Sequence, residues 1–420
     1  MTLKKRILFM PEGSILAHVG RTIAIARALP TEAVSICFAA SGEHAWRLHA
    51  LGWPVHEVCT RPRKELLGRL RKGSSAFDTE WLRRYVQDEL RLLAEIRPDV
   101  VVGDFRPTLG ISAELLHIPY VCVTNAPWTR CLAVALEPPH SWLPTKVCGQ
   151  RLLRALRPLI EERVFAWYAR PFNHVRRLLG LPQQHDVRDC MCSRELNLVA
   201  DAPELFPPIS PLPPAFRFIG PILWEPDEPL PEWLSEVDRT RPVVYVTMGS
   251  TGPSDQIHEL AQHLVEMGTQ VICTTASAGT TGWPRDIYAI PYGPGRSLCE
   301  VADVVVCHAG SGTIYQALSR GKPAVGVPEF HDQELNMQRI TAAGLGLAVL
   351  KGPSLAADVG RAVERILREP AFAARARAFQ RRIQWDGAER AAAAICDLIS
   401  VPRARISAAR TRAVSAAVSN

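Results

Sequence analysis

Three runs of β-branched residues constrain this chain more than anything else in it: "DVVVGD" at 99–104, "PVVYVT" at 242–247 and "ADVVVC" at 302–307. A strand that is apolar at successive positions, without alternation, needs cover on both faces. Parallel sheets with helices on each side provide that cover. Each run ends in turn-forming or polar residues and is followed by a helical pattern. The same alternation runs through the first half as "RILFM", "AVSICFAAS", "WPVHEV" and "PYVCVTN", and through the second as "TQVICTT" and "IYAIPYG". The reading is an α/β protein with two doubly wound, Rossmann-like parallel sheets. The first domain is expected over 1–224 and the second over 242–402. A proline-rich acidic linker at 225–241 joins them, and a basic Ala/Ser tail follows at 403–420. Such sheets bind ligands at the carboxyl ends of their strands, so two facing sheets imply a cleft between those ends.

With 420 residues, 47% of them hydrophobic, the chain can bury a large core. Its net charge of +7 suits anionic small substrates or an anionic membrane surface. No zinc finger, RNP-type motif or basic helical reader is present, which argues against nucleic acid. The eleven cysteines form no framework, and Cys190 and Cys192 lack a second pair, so reduced thiols and no metal site are expected. "MTLKKRILFMPEG" is too short in apolar residues for a signal peptide, and no run of about eighteen apolar residues would span a bilayer. The expected location is the cytoplasm, with peripheral contact at the inner membrane face left open.

Two stretches break the alternation. Residues 131–192 are rich in Arg, Leu, Pro and Trp and are expected to form irregular helices over the first domain. There Trp142 and Trp167, with Trp128 just before, either line an apolar pocket or are ordinary core. Residues 61–97 read as basic helices. Their leucines at 66, 67 and 70 either pack inward under a solvated basic face or rest, with Arg69, Arg71 and Lys72, on anionic lipid.

The segment "CHAGSGTIYQALSRGKPAVGVP" from Cys307 reads as strand, glycine loop, helix, strand. Gly321 suits the position just past the helix end. Unpaired N–H groups at a helix start make an anion site, and phosphate commonly fills it. The alternative is a plain tight turn. The segment is not a P-loop, since no Gly-Lys-Ser/Thr follows, and G-x-G-x-x-G is absent.

Extended to "HAGSGTIYQALSRGKPAVGVPEFHDQELN", this region resembles the family 1 nucleotide-sugar glycosyltransferases of the two-domain GT-B fold, particularly bacterial enzymes acting on natural products and lipids. The resemblance covers most of the chain and is strongest over 243–347. It implies that His308 and the N–H groups of Gly310, Ser311, Gly312 and Thr313 hold the donor diphosphate. Ser250 and Thr251 in "VTMGST" would lie near the phosphates. Asp332 and Gln333 would bond the sugar hydroxyls, and Tyr292 would stack on the base. Bland readings stand beside these: Asp332 as a helix N-cap, Tyr292 as a core aromatic, His308 as a turn histidine. The family's ribose-binding Glu is Gln316 here, and its Gln after the aromatic is Gly295, leaving backbone or Arg296 for the base.

In the first half, "AHVGR" matches the family's "GHxxP" only at His18, and Asp104 falls where the family places an orienting carboxylate. By resemblance His18 is the general base and Asp104 its partner; the bland reading is a histidine packed at a helix start. The implied activity is inverting hexosyl transfer from a UDP- or dTDP-sugar to a hydroxyl of an apolar small molecule or lipid, without metal or cofactor. A GT-B-like sugar-nucleotide epimerase and a catalytically silent sugar-nucleotide-binding partner protein are the rival readings.

Overall fold

The computed structural model describes residues 4–71, 77–140, 143–249, 256–275, 283–284 and 286–400. The chain forms two compact units, one of residues 1–134, 151–222 and 386–420, the other of 135–150 and 223–385.

The first unit holds strands β1 (Lys5–Pro11), β2 (Val34–Ala39), β3 (Val55–His56), β4 (Val100–Asp104), β5 (Tyr120–Thr124), β6 (Leu196–Val199) and β7 (Phe216–Phe218). They form one parallel sheet in the order β3-β2-β1-β4-β5-β6-β7. The second unit holds β8 (Val243–Thr247), β9 (Gln270–Thr274), β10 (Ile287–Ile290), β11 (Val304–Cys307), β12 (Ala324–Gly326) and β13 (Gly346–Ala348). These are also parallel, in the order β10-β9-β8-β11-β12-β13. Both sheets are therefore doubly wound, as the valine runs require: Val100 to Val102 and Val304 to Val306 are fully buried. In both, strand order reverses beside the first strand. β1 and β4 flank one switch point, with Pro11 opposite Asp104, and β8 and β11 the other, with Thr247 opposite Cys307.

The units are not the single contiguous pair of domains expected with a boundary at 402. The Gly387–Ser400 helix belongs to the first unit and packs on the Leu16–Arg27 helix. Its start presses so closely on the chain end of the first sheet that a Cβ on Gly387 would lie 2.4 Å from the Pro221 carbonyl. Its buried face is small, with Ala391, Ala392 and Ala394 beside Ile395. Residues 225–241, read as a linker, cluster with the second unit, and the 403–420 tail lies outside the described residues.

Gly321 ends the Ser311–Ser319 helix as expected. Its φ is +67°, and the N–H groups of Gly321 and Lys322 bond to Leu318 and Ala317 carbonyls at 3.0 Å each, a Schellman closure. In the basic stretch, Leu66 and Leu67 are buried and Leu70 packs against the same core, so those leucines face inward. Residues 150–178 form one long helix rather than irregular pieces, with Pro158 and Pro171 inside it. Trp167 is 52% exposed and so is not ordinary core; Trp142 lies outside the described residues. All eleven cysteines are free, and only Cys148 is exposed.

Candidate active site

In the first unit, β1 runs into the loop 12–15 and then the Leu16–Arg27 helix, which places His18 in the first helical turn. Asp104 ends β4 across the switch point and is fully buried. His18 Nδ1 lies 2.7 Å from Asp104 Oδ1. A carboxylate can only accept, so Nδ1 carries the proton and Nε2 is left as the acceptor of the ring. The pair read from the sequence is thus brought together.

Arg21 shares that carboxylate. One helical turn beyond His18, it donates from Nε to Asp104 Oδ2 at 2.8 Å and from Nη2 to Oδ1 at 2.6 Å. Its Nη1 donates to Asn125 Oδ1 at 2.8 Å, and Asn125 Nδ2 donates to Asp201 Oδ1 at 3.1 Å. The network spans the carboxyl ends of the adjacent strands β1, β4, β5 and β6. Burial alone would raise the Asp104 carboxyl, but Arg21 and then His18 outweigh it and hold it below the usual carboxylate range. The carboxylate is therefore ionised and already countered by a guanidinium, so its main effect on His18 is to fix tautomer and orientation.

The imidazole is also held on its face. Phe105 stacks on it with centroids 5.0 Å apart and planes 5° apart, and Trp128 meets Phe105 edge-on. Phe105 is left-handed, at φ +52°, a conformation disfavoured for a side chain of this size. The next residue anchors it. Arg106 Nε donates to buried Glu89 at 2.6 Å, and the hydroxyls of Thr108 and Ser112 donate to the same carboxylate. Sequence reasoning missed Arg21, Phe105 and Asn125. Arg21 had a signal, its i+3 spacing from His18 within the quoted "AHVGR"; Asn125 and Phe105 had only their places just past strand ends.

In the second unit, His308 follows β11 and is 7% exposed. Two glycines press on its ring. A Cβ on Gly249, whose φ is +57°, would lie 2.3 Å from His308 Cε1, and one on Gly310 would lie 2.4 Å from Nε2. Ala309, between His308 and Gly310, is left-handed at φ +65°, and its carbonyl accepts from Asn336 Nδ2 at 3.0 Å. Burial pulls the imidazole down to about 4, with Glu329 opposing, so the ring is neutral at ordinary pH. Its Nδ1 is buried with no hydrogen-bond partner among the described residues. The Ser311–Ser319 helix begins at Gly310 without a side-chain cap. Ser311 and Thr313 are half-buried and Gly312 exposed in its first turn, and a Cβ at Gly312 would meet nothing within 4 Å. This end of the helix thus presents N–H groups beside an unsatisfied neutral imidazole, which suits a ligand carrying acceptor oxygens.

The remaining expected residues fare differently. Ser250 and Thr251 lie outside the described residues. Tyr292 is 43% exposed, so it is not a core aromatic. Asp332 is half-buried in the first turn of the His331–Ala342 helix, but the cap there is Gln333. Its Oε1 accepts from the N–H groups of Glu329 and Phe330 at 2.8 and 3.1 Å, so it is committed to the fold. Gln316 donates from Nε2 to the Trp224 carbonyl at 2.8 Å, a bond that an ionised glutamate could not make. Among the described residues, no cluster of three or more His, Cys, Asp or Glu could hold a metal ion.

Comparison with known proteins settles the family. The model of the UDP-glucoronosyl and UDP-glucosyl transferases matches residues 87–381. The chain belongs to this family. It is a glycosyltransferase. A PGL/p-HBAD biosynthesis glycosyltransferase of Mycobacterium tuberculosis (strain ATCC 25177 / H37Ra) is 34% identical over 377 residues, covering 89% of this chain and 87% of the relative. A PGL/p-HBAD biosynthesis rhamnosyltransferase of Mycobacterium bovis (strain BCG / Pasteur 1173P2) is 34% identical over 384 residues, covering 90% and 85%. In fold the glycosyltransferase resembles the spinosyn rhamnosyltransferase SpnG complexed with thymidine diphosphate, with a TM-score of 0.65 at 19% identity, covering 94% of this chain and 99% of that one. The GT-B class expected from the motifs is the class of this fold. No helix among the described residues is long and apolar enough to cross a membrane.

Proposed function

We propose that this glycosyltransferase moves a hexose, rhamnose or a close analogue, from a dTDP- or UDP-sugar to a hydroxyl of a lipid or other apolar acceptor, with inversion. The observation that carries the reading is the short His18–Asp104 contact, which turns the other ring nitrogen, Nε2, into the proton acceptor. The acceptor oxygen attacks the anomeric carbon as the bond to the diphosphate oxygen breaks, and the acceptor proton passes to His18 Nε2. The N–H groups from Gly310 to Thr313, with His308, stabilise the charge gathering on the departing diphosphate, so this chemistry asks for no metal. The similarity to a glycosyltransferase and a rhamnosyltransferase of PGL/p-HBAD biosynthesis favours a lipid-pathway acceptor and a deoxysugar donor. The thymidine diphosphate of the SpnG complex favours a dTDP donor.

The test is a donor screen. Calorimetry with dTDP and UDP, followed by transfer assays with dTDP-rhamnose and UDP-glucose on phenolic and long-chain acceptors, should give product of inverted anomeric configuration. Retention at the anomeric carbon, or donor hydrolysis with no acceptor product under any condition, would rule the reading out.

A further inference from the structure

Of the eleven large apolar side chains exposed among the described residues, five lie on the one helix Gln150–Leu178: Leu152, Leu156, Leu159, Trp167 and Leu178. Leu152, Leu156, Leu159, Arg163, Trp167 and Arg170 recur every three or four residues, which puts them on one face, and all six are exposed. The buried residues Ala169, Phe172, Val175 and Arg176 fall on the other side of the helix, and the buried Leu153 flanks the exposed face. The helix's own carboxylates, Glu161 and Glu162, are engaged by Arg157, Arg188 and Arg130, so Arg163 and Arg170 are not neutralised by them. Leucines that project beside uncommitted guanidinium groups do not belong to a solvated face. They match a surface that is apolar below and anionic at its rim.

We propose that this face of the 150–178 helix docks on an anionic lipid surface, with the leucines and Trp167 entering the acyl boundary and the arginines meeting headgroups. It rests on the lipid-acceptor reading only for its purpose, since docking places the enzyme where such an acceptor dissolves. The Arg63–Arg71 helix, the other basic candidate, is excluded by its inward leucines and by the pairing of Arg63 with Glu43 and of Arg69 with Asp78.

The full chain is sedimented with vesicles of phosphatidylglycerol and phosphatidylcholine in equal parts, and of phosphatidylcholine alone, without donor or acceptor. Binding to the anionic vesicles should be at least about tenfold tighter at low salt, since each arginine near such a surface is worth roughly fivefold, and should weaken as salt rises. The double variant Leu156→Glu/Leu159→Glu should lose binding, and Arg163→Glu/Arg170→Glu should lose the anionic preference. Both should keep the parent melting curve and nucleotide affinity. Three results overturn the proposal: no binding of the parent to anionic vesicles, unchanged binding of both variants, or a parent dimer that the leucine variant makes monomeric. The last would mark the face as an interface between copies. Intact docking with no transfer to any apolar acceptor would leave the proposal standing and remove the acceptor reading instead.

Discussion

The two switch points occupy the same place in two similar sheets and are built in opposite ways. At the first, His18 is held by every means available to a side chain: a buried carboxylate on Nδ1, an aromatic ring on its face, and a guanidinium locking the carboxylate in turn. At the second, among the described residues, His308 is pressed by two glycines, with Nδ1 unsatisfied and no capping side chain on the adjoining helix. A group that must take a proton in one direction needs its own polar partners satisfied beforehand. A group that must receive a ligand needs them open. The contrast is the one expected if, as proposed, His18 is the base and the His308 loop receives the donor.

The largest effect should come from the satisfied side. His18→Ala should cut turnover by roughly 10²–10⁴ while nucleotide affinity, measured by calorimetry, stays as in the parent. Asp104→Asn should cost less, because it removes orientation and charge support but leaves the ring and its Phe105 stack in place. If His18→Ala keeps near-parent turnover, the contrast is wrong about which histidine is the base.

On the open side the glycines should matter unequally. Gly249→Ala forces a left-handed alanine against His308, so a loss of about 1–3 kcal/mol in thermal unfolding is expected, with a fall in nucleotide affinity. Gly312→Ala has room and should leave stability unchanged or raise it by up to ~1 kcal/mol. Any loss of affinity in Gly312→Ala would then report the ligand and not the fold. Equal melting temperatures for the two variants would remove the shape argument.

The two sites should also differ in acid. His308 titrates near 4 when folded, below its unfolded value of about 6.5. Between those values the unfolded chain binds more protons, so His308 supports the fold above about pH 6.5, and that support is lost as pH falls toward 4, by up to ~1.4 kcal/mol per pH unit. His308→Gln should reduce this slope in urea melts over that window. Asp104, depressed when folded, contributes above its ordinary carboxylate value and loses that contribution only at lower pH, as the carboxyl protonates. His44 and His331 are also pulled down to about 4 by burial, so part of the slope should remain; a parent slope over pH 4–6.5 that is unchanged in His308→Gln would show the ring is not buried neutral.

The smallest effect is set by Gln316. Gln316→Glu restores the family's residue but puts a carboxylate against the Trp224 carbonyl, so a loss of about 1–2 kcal/mol is expected with no gain in nucleotide affinity. Tighter nucleotide binding in this variant would show that position 316 faces the ligand after all.

The sequence by itself determined the two sheets, because an unbroken valine run such as 304–306 has only one kind of place to go. It determined the end of the Ser311–Ser319 helix at Gly321, a local backbone demand, and it pointed to His18 with Asp104 and to the loop at His308, where motif spacing carries the chemistry. Tertiary structure alone decided which partners those residues have. Arg21 bridges both oxygens of Asp104, and Gln316 turns to Trp224, through contacts between segments that no local pattern relates. It also decided that the Gly387–Ser400 helix returns to the first unit, and that Leu66 and Leu67 are buried while Leu152, Leu156 and Leu159 are bare. A periodic pattern marks one face of a helix as apolar. What covers that face depends on distant chain, and so on packing that sequence periodicity does not encode.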